Sequence, residues 1–298
     1  MPRTLPDVTS ESDLRLAGRP VHRVGFGAMQ LPGPRVSGPP RDRPQALAVL
    51  RRAVELGVDH IDTAQFYGPD VANELIHEAL HPYPEELVLV SKVGAARDAD
   101  GGWIPAQRPE DLRRGVEDNL RSLEVERVDV VNLRRLGSED AAAADVPFAD
   151  QLGAMIELRD EGKIGGIGLS NVALEEVRAG LDTTEIACVQ NPMSLLDQKD
   201  QPVLDLCREA GIPYVPFFPL GSAFPGIPKV TEHSVVREIA GRIGATPSQV
   251  GLAWLLQHRA NILLIPGTSS PAHLEENVAA QDVELDAQAL TQLADLAG

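Results

Sequence analysis

Arginine is the ordinary cation of this chain, and lysine occurs only at positions 92, 163, 199 and 229. One of the four, Lys92, closes the apolar run LVLVSK, which has the character of a buried strand. Burial disfavours an ammonium, so Lys92 needs a carboxylate beside it, and Asp62 stands near the end of the preceding β-like run, HIDTA. Tyr67 follows on the loop beyond Asp62. A phenol next to a lysinium has its anion stabilised, which makes it a usable general acid. A structural ion pair beside a surface tyrosine accounts for the same positions about equally well, because such pairs also perturb titrations.

A second cationic feature ends another apolar run. In VDVVNLRRLG, residues 128–137, the valines and leucine read as strand, yet the run closes on Asn132, Arg134 and Arg135. Strand alternation places Asn132 and Arg134 on one face and Val131 and Leu133 on the other. Arg135 has no such positional argument and reads as solvated. Two further motifs carry little weight. His77-Glu78-Ala79-Leu80-His81 has the H-E-x-x-H spacing of a zinc site, but Pro82 follows directly and no third ligand is evident. Gly25-x-Gly27-x-x-Gln30 falls one glycine short of a dinucleotide fingerprint and does not open a helical pattern. No metal is expected.

The elements that must position these residues alternate in type. PQALAVLRRAVELG has helical spacing, with Pro44 near its first turn and Gly57 as its stop. HIDTA follows as a strand, and further helix–strand pairs run through VDVVNL, KIGGIGLS, IACVQN, IPYVPFF and NILLIPG. With VGFGA as the first strand this gives about eight strands, which predicts an α/β fold of the (β/α)8 TIM-barrel type in a single domain. Residues 1–20 read as a polar N-terminal tail and residues 21–298 as the barrel. Chemistry in such barrels sits at the C-terminal strand ends. There the sequence puts Asp62 with Tyr67, Lys92, Arg134, Ser170 with Asn171, Gln190 and Phe217.

Composition narrows the function classes. The formal net charge of -17 and a pI near 4.8 argue against a nucleic-acid partner and against anionic membranes, and no apolar stretch is long enough to span a bilayer. Cys188 and Cys207 have no metal or redox spacing, and reduced thiols point to a cytoplasmic protein. The N-terminus has no apolar core of a signal peptide.

GFGAM, HIDTAQFYG, LVLVSKVG, GKIGGIGLSN, VQNP, FFPLG and IPGTSSPAHLEENV occur in the order found in aldo-keto reductases. The resemblance spans nearly the whole chain, and several such motifs together are specific. It implies a barrel that binds NADPH in extended form, with NADH as the weaker option, and reduces an aldehyde or ketone. Position by position, Tyr67 resembles the residue that protonates the carbonyl oxygen, Lys92 the residue that eases its proton loss, and Asp62 the partner that holds Lys92. The family usually has histidine where this chain has Arg134. Arginine can hydrogen-bond a carbonyl oxygen and stabilise developing negative charge, but it cannot exchange protons near neutrality.

For the cofactor, the resemblance assigns Ser170, Asn171 and Gln190 to the nicotinamide carboxamide and Phe217 to ring stacking. Leu220, Gly221 and Ser222 match the loop over the pyrophosphate, and Gly27, Ala28 and Met29 the turn after the first strand. Gly267, Thr268, Ser269, His273, Glu276 and Asn277 match the adenosine phosphate segment, with Gly267 and His273 where many relatives carry lysine and arginine. A helix N-terminus near Pro271 still attracts an anion. VNLR with IPGTSSPAHLEEN looks closest to a bacterial branch that includes pyridoxal reductases. The competing reading is a cofactor-binding regulatory module on the same fold, with catalysis dulled by loss of the histidine. The substrate expected is a small carbonyl compound, and the oligomeric state is not legible.

Overall fold

The computed structural model describes residues 14–136, 146–222 and 227–296. Six parallel strands form its sheet: β3 (Phe26–Gly27), β4 (His60–Asp62), β5 (Val88–Val93), β8 (Val128–Arg134), β9 (Ile164–Ser170) and β10 (Cys188–Gln190), adjacent in that order. Two further staves close the ring through isolated parallel bridges. Tyr214 bridges Val189 on one side and Ile262 on the other, and Leu264 returns to Val24. The result is the expected closed (β/α)8 barrel in one domain. Two small antiparallel hairpins decorate it: β1 (Arg15–Leu16) with β2 (Arg19–Pro20), and β6 (Ala95–Arg97) with β7 (Trp103–Pro105).

The outer ring is helical. It includes α1 (Arg43–Glu55), α2 (Val71–Leu80), α3 (Pro109–Leu123), α4 (Phe148–Asp160), α5 (Leu174–Thr183) and α6 (Gln201–Glu209). After the seventh stave come α7 (Ser234–Ile243) and α8 (Pro247–His258), and after the eighth α9 (Pro271–Val278) and α10 (Ala287–Ala294). The starts are chemically marked. The Asp42 carboxylate accepts the Gln45 amide of α1 at 2.9 Å. At α8 the Thr246 hydroxyl and the Gln249 side chain cap each other's backbone amides.

Strand alternation divides the apolar residues into two cores. Val131 and Leu133 pack outward with the helix layer, whereas Val88, Val90, Val130, Cys188, Val215 and Leu263 fill the barrel interior. Each inward column then ends in a polar group one or two pleats higher: Lys92 above Val88 and Val90, Arg134 above Val130, and Gln190 above Cys188. The sheet register sets their heights, pairing Arg134 with Ser170 and Ser170 with Gln190. The apolar lower layers seat the barrel, and the polar tips form its mouth.

The polar tail expected over residues 1–20 ends earlier than its composition implies. From Leu14 the chain turns back through β1 and β2, and Leu14, Leu16 and Val21 join the interior core. Arg19 bonds the Asp129 carboxylate at 3.0 Å and the Leu87 carbonyl at 3.2 Å, which holds the hairpin against the N-terminal ends of β5 and β8. It plugs the bottom of the barrel. Two-residue strands among charged neighbours carry no periodic signal, so only the burial reveals them. Residues 1–13 lie outside the described residues.

Candidate active site

Asp62 and Lys92 meet at the mouth as the alternation requires. Both are only 3 % exposed, and the Lys92 ammonium bonds the Asp62 carboxylate directly and the Thr63 carbonyl at 3.0 Å. The second carboxylate oxygen of Asp62 accepts the Gln190 side-chain amide at 2.8 Å. Asp62 is thus held by two elements on opposite sides of the mouth. Burial opposes the Lys92 charge, but the Asp62 carboxylate and Tyr67 more than offset it, so the ammonium is held above its ordinary range. Lys92 stays a cation at any working pH.

Tyr67 lies over this pair, with the Lys92 nitrogen 5.0 Å from its ring centroid. Its ring packs edge-on against Phe66 at 5.3 Å and Trp103 at 6.3 Å. Arg134 points into the mouth rather than outward. Its guanidinium donates to the Ser170 hydroxyl at 3.2 Å and sits 5.0 Å from the Phe217 ring, and no surface carboxylate pairs with it among the described residues. Burial lowers its proton affinity while the nearby Tyr67 and Asp62 raise it, for a net lowering. An arginine remains charged after any such shift. Close approach shapes this corner: Gly94 holds a φ of +108°, and a side chain there would collide with the Arg134 carbonyl. Arg135 is not solvated as its position suggested: its half-buried guanidinium pairs with Glu176.

These residues line a cavity of about 520 Å³. Asp62, Tyr67, Lys92, Arg134, Gln190 and Phe217 form its floor, and Gly27, Met29, Leu220, Gly221, Gly267, Thr268, His273, Glu276 and Asn277 continue it towards α9. The other expected positions lie off this wall. Ala28 is fully buried behind it, and Ser170 sits behind Arg134. Asn171, at a φ of +55°, ties its side-chain amide to the Arg135 carbonyl at 2.6 Å. Ser222 and Ser269 border a neighbouring cavity.

The donor set suits a nicotinamide carboxamide. A carboxylate only accepts, so the Gln190 amide nitrogen must face Asp62, and its oxygen Oε1 is left buried without a partner among the described residues. Asn171 likewise keeps its oxygen free of the Arg135 contact, and Ser170 accepts from Arg134 and so keeps its own proton to donate. Of the three, Gln190 alone lines the cavity, so its oxygen is the acceptor open to a carboxamide there, while Ser170 and Asn171 brace Arg134 and Arg135 beside it. At α9 the Ser270 hydroxyl caps the His273 amide at 3.4 Å, and the first turn holds no carboxylate. The backbone amides at that end favour an anion.

Several walls of the cavity escaped the sequence reading. Phe66, Trp103, Leu136, Ile227 and Ser248 line it. Trp103 enters from β7, where Arg97 lies 3.5 Å over its ring. DADGG marks the turn of this hairpin, but not its placement over the mouth. His77 and His81 lie on and just beyond α2, next to Glu124 and Tyr83 and away from the mouth.

With this geometry in view the comparisons with known proteins are decisive. The model of the aldo/keto reductase family matches residues 23–297. The chain belongs to the aldo/keto reductase family and is an oxidoreductase. It is 46% identical over 284 residues to a pyridoxine 4-dehydrogenase of Escherichia coli K12, covering 95% of this chain and 98% of that protein. It is 33% identical over 290 residues to an uncharacterized oxidoreductase of Schizosaccharomyces pombe, covering 96% of this chain and 90% of the other. An aldo-keto reductase from Klebsiella pneumoniae solved in complex with NADPH superposes with a TM-score of 0.78 at 27% identity, covering 97% of this chain and 95% of that one. No helix among the described residues is long and apolar enough to cross a membrane.

Proposed function

We propose that this reductase transfers hydride between NADPH and the carbonyl carbon of a small aldehyde on an aromatic ring, of the pyridoxal type. The observation that carries the reading is the Tyr67–Lys92–Asp62 cluster facing the cavity beside the unpartnered Gln190 oxygen. NADPH, when bound, supplies the hydride. Ser170, Asn171 and Gln190 would orient its carboxamide, and Phe217 would carry the ring.

The protein's own share is proton delivery and charge stabilisation. Tyr67 holds its phenolic proton towards the carbonyl oxygen and releases it as negative charge develops there. Lys92, pinned by Asp62, stabilises the phenolate left behind, and such general acid catalysis contributes about 10²–10⁴ in rate. Arg134 supplies a fixed donor to the same oxygen in place of an imidazole. Phe66, Trp103 and Phe217 exclude water and offer flat faces to an aromatic ring. The E. coli pyridoxine 4-dehydrogenase, at 46% identity, supports a substrate of this class.

NADPH oxidation measured over a panel of aldehydes that includes pyridoxal tests the reading. Turnover is expected with aromatic aldehydes, pyridoxal among the best. Tight NADPH binding with no turnover on any aldehyde would instead favour a regulatory module. The intact Asp62, Tyr67 and Lys92 set speaks against that outcome, since a binder has no need of it.

A further inference from the structure

Behind the Asp62–Lys92 pair, on the helix side of the sheet, Thr63, Ser91, Asn73 and Asn119 form a polar network with no exposed surface. Thr63 and Ser91 are the sequence neighbours of Asp62 and Lys92, so strand alternation turns them outward. The Thr63 hydroxyl donates to Asn73 Oδ1 at 2.8 Å, and Asn73 Nδ2 donates to Asn119 Oδ1 and to the Ser122 hydroxyl, each at 2.9 Å. The Ser91 hydroxyl donates to the same Asn119 oxygen, and Asn119 Nδ2 donates to the Gly115 carbonyl of its own helix at 2.8 Å. Every nitrogen and oxygen of the four side chains has a partner. Their neighbours in this layer are apolar: Leu75, Leu112, Val116 and Val131 belong to the outer core, and Val131 pairs in register with Ser91. Burying polar groups there gains little stability over apolar residues of similar size, since the bonds mostly repay the lost hydration. What a satisfied buried network does supply is one fixed arrangement.

We propose that Asn73 and Asn119 are positioning residues for the proton transfer, setting Lys92 and Tyr67 at their working separation from outside the barrel. The proposal rests on the catalytic reading of Tyr67, Lys92 and Asp62 above. The network reaches the chain beside each of the three. Thr63 follows Asp62, and its carbonyl takes the Lys92 ammonium at 3.0 Å. Ser91 precedes Lys92 on β5. Asn73 sits in the first turn of α2, and the amide of its neighbour Ala72 donates to the Tyr67 carbonyl at 3.1 Å. Asn119, on α3, is the acceptor that Asn73 and Ser91 share, so it ties the loop of Tyr67 to the strand of Lys92. Removing that acceptor leaves every group at the mouth in place chemically and changes only the spacing between them.

The test is the single-turnover rate of NADPH oxidation with pyridoxal and with nitrobenzaldehyde, in light and heavy water, beside the NADPH dissociation constant. Asn119→Leu should slow the turnover by up to about a hundredfold, the cost of displacing a reacting group by roughly an ångström. Its NADPH affinity should stay at the wild-type value. Its solvent isotope effect should exceed that of the wild type, because proton delivery then lags behind the hydride. Thr63→Val, which keeps the shape and removes one hydroxyl, should move rate and isotope effect the same way by less, and it decides the matter if Asn119→Leu does not fold. A folded variant with the wild-type rate, or one slowed without a rise in the isotope effect, overturns the positioning role while Tyr67→Phe still slows the reaction. Turnover that survives Tyr67→Phe, or wild type inactive on both aldehydes, overturns the catalytic reading and this role with it.

Discussion

At one side of the barrel mouth, Asp62, Lys92 and Gln190 form a closed set in which the charges are buried and each of the three side chains touches another. At the other side, α1 and α9 are joined across exposed surface by the Arg52–Glu275 ion pair and the Gln45–Ser269 bond, and the first turn of α9 holds no carboxylate. Both ends act on small charged groups, yet their construction is opposite. Proton transfer and charge development at a carbonyl oxygen require donors fixed to a fraction of an ångström, which only locked side chains provide. Recognition of a phosphate depends more on net charge over several ångströms, so cations on different loops can contribute to it. The catalytic end should therefore be intolerant of change, and the phosphate end tolerant and exchangeable.

The sharpest way to break the contrast is Tyr67→Phe. It removes the proton donor and leaves the phosphate end untouched, so kcat should fall by about 10²–10⁴ with the NADPH dissociation constant unchanged. Near-normal turnover would remove Tyr67 from the mechanism. Lys92→Met should slow the reaction comparably and also strand the Asp62 carboxylate. Breaking a buried pair in this way costs about 3–5 kcal/mol, so a lowered unfolding midpoint is expected alongside the lost rate, and activity must be read per folded enzyme.

Arg134 comes next. Removing one donor at a developing oxyanion costs about 2.7–4 kcal/mol, so Arg134→Ala should lower kcat by about 10²–10³, with little effect on NADPH binding. Arg134→His should return part of that rate and add a titration near neutral pH, because imidazole changes charge there and guanidinium does not. The sign is fixed: if the cationic form helps, activity of Arg134→His falls as pH rises through the imidazole range, while the wild type shows no such limb. A wild-type profile with a histidine-like limb would place the sensing group elsewhere.

The fixed end was also the legible one. Lys92, Asp62, Arg134 and Gln190 announce themselves as polar residues ending inward-facing columns of Val88, Val90, Val130 and Cys188, and a period-2 pattern survives in any sequence. The barrel followed from the same alternation between strands and helices. Trp103 and Phe66 were not legible as cavity walls, because the fold of a hairpin over a mouth depends on contacts such as those of Arg97 with the carbonyls of Phe66, Gly101 and Val36. The plug made by Leu14 and Leu16 was missed for a similar reason: two apolar residues in a charged stretch carry no period. The tie between Gln45 and Ser269 stayed hidden because most of the chain separates them, and only the packing of α1 on α9 brings them together.

The smallest expected effect bears on the tolerant end. His273→Arg puts a guanidinium in the first turn of α9, beside Thr268 and Ser269. Two opposing terms act on it. A hydrogen bond to a charged group contributes about 1.5–3 kcal/mol at best, less on a surface where water screens it. A cation near a helix N-terminus costs about 0.3–1 kcal/mol against the helix dipole until an anion arrives. Free protein should therefore be slightly less stable than wild type, and the NADPH complex should regain the difference. The net gain in NADPH affinity should be about fivefold, with NADH unchanged. If charge at this end is exchangeable, Ser269→Arg should raise NADPH affinity by a similar factor. Calorimetry on the two variants decides it. A Ser269→Arg variant no tighter than wild type would mean that the phosphate needs its cation at a fixed position, and the contrast between a rigid end and an exchangeable one would fail.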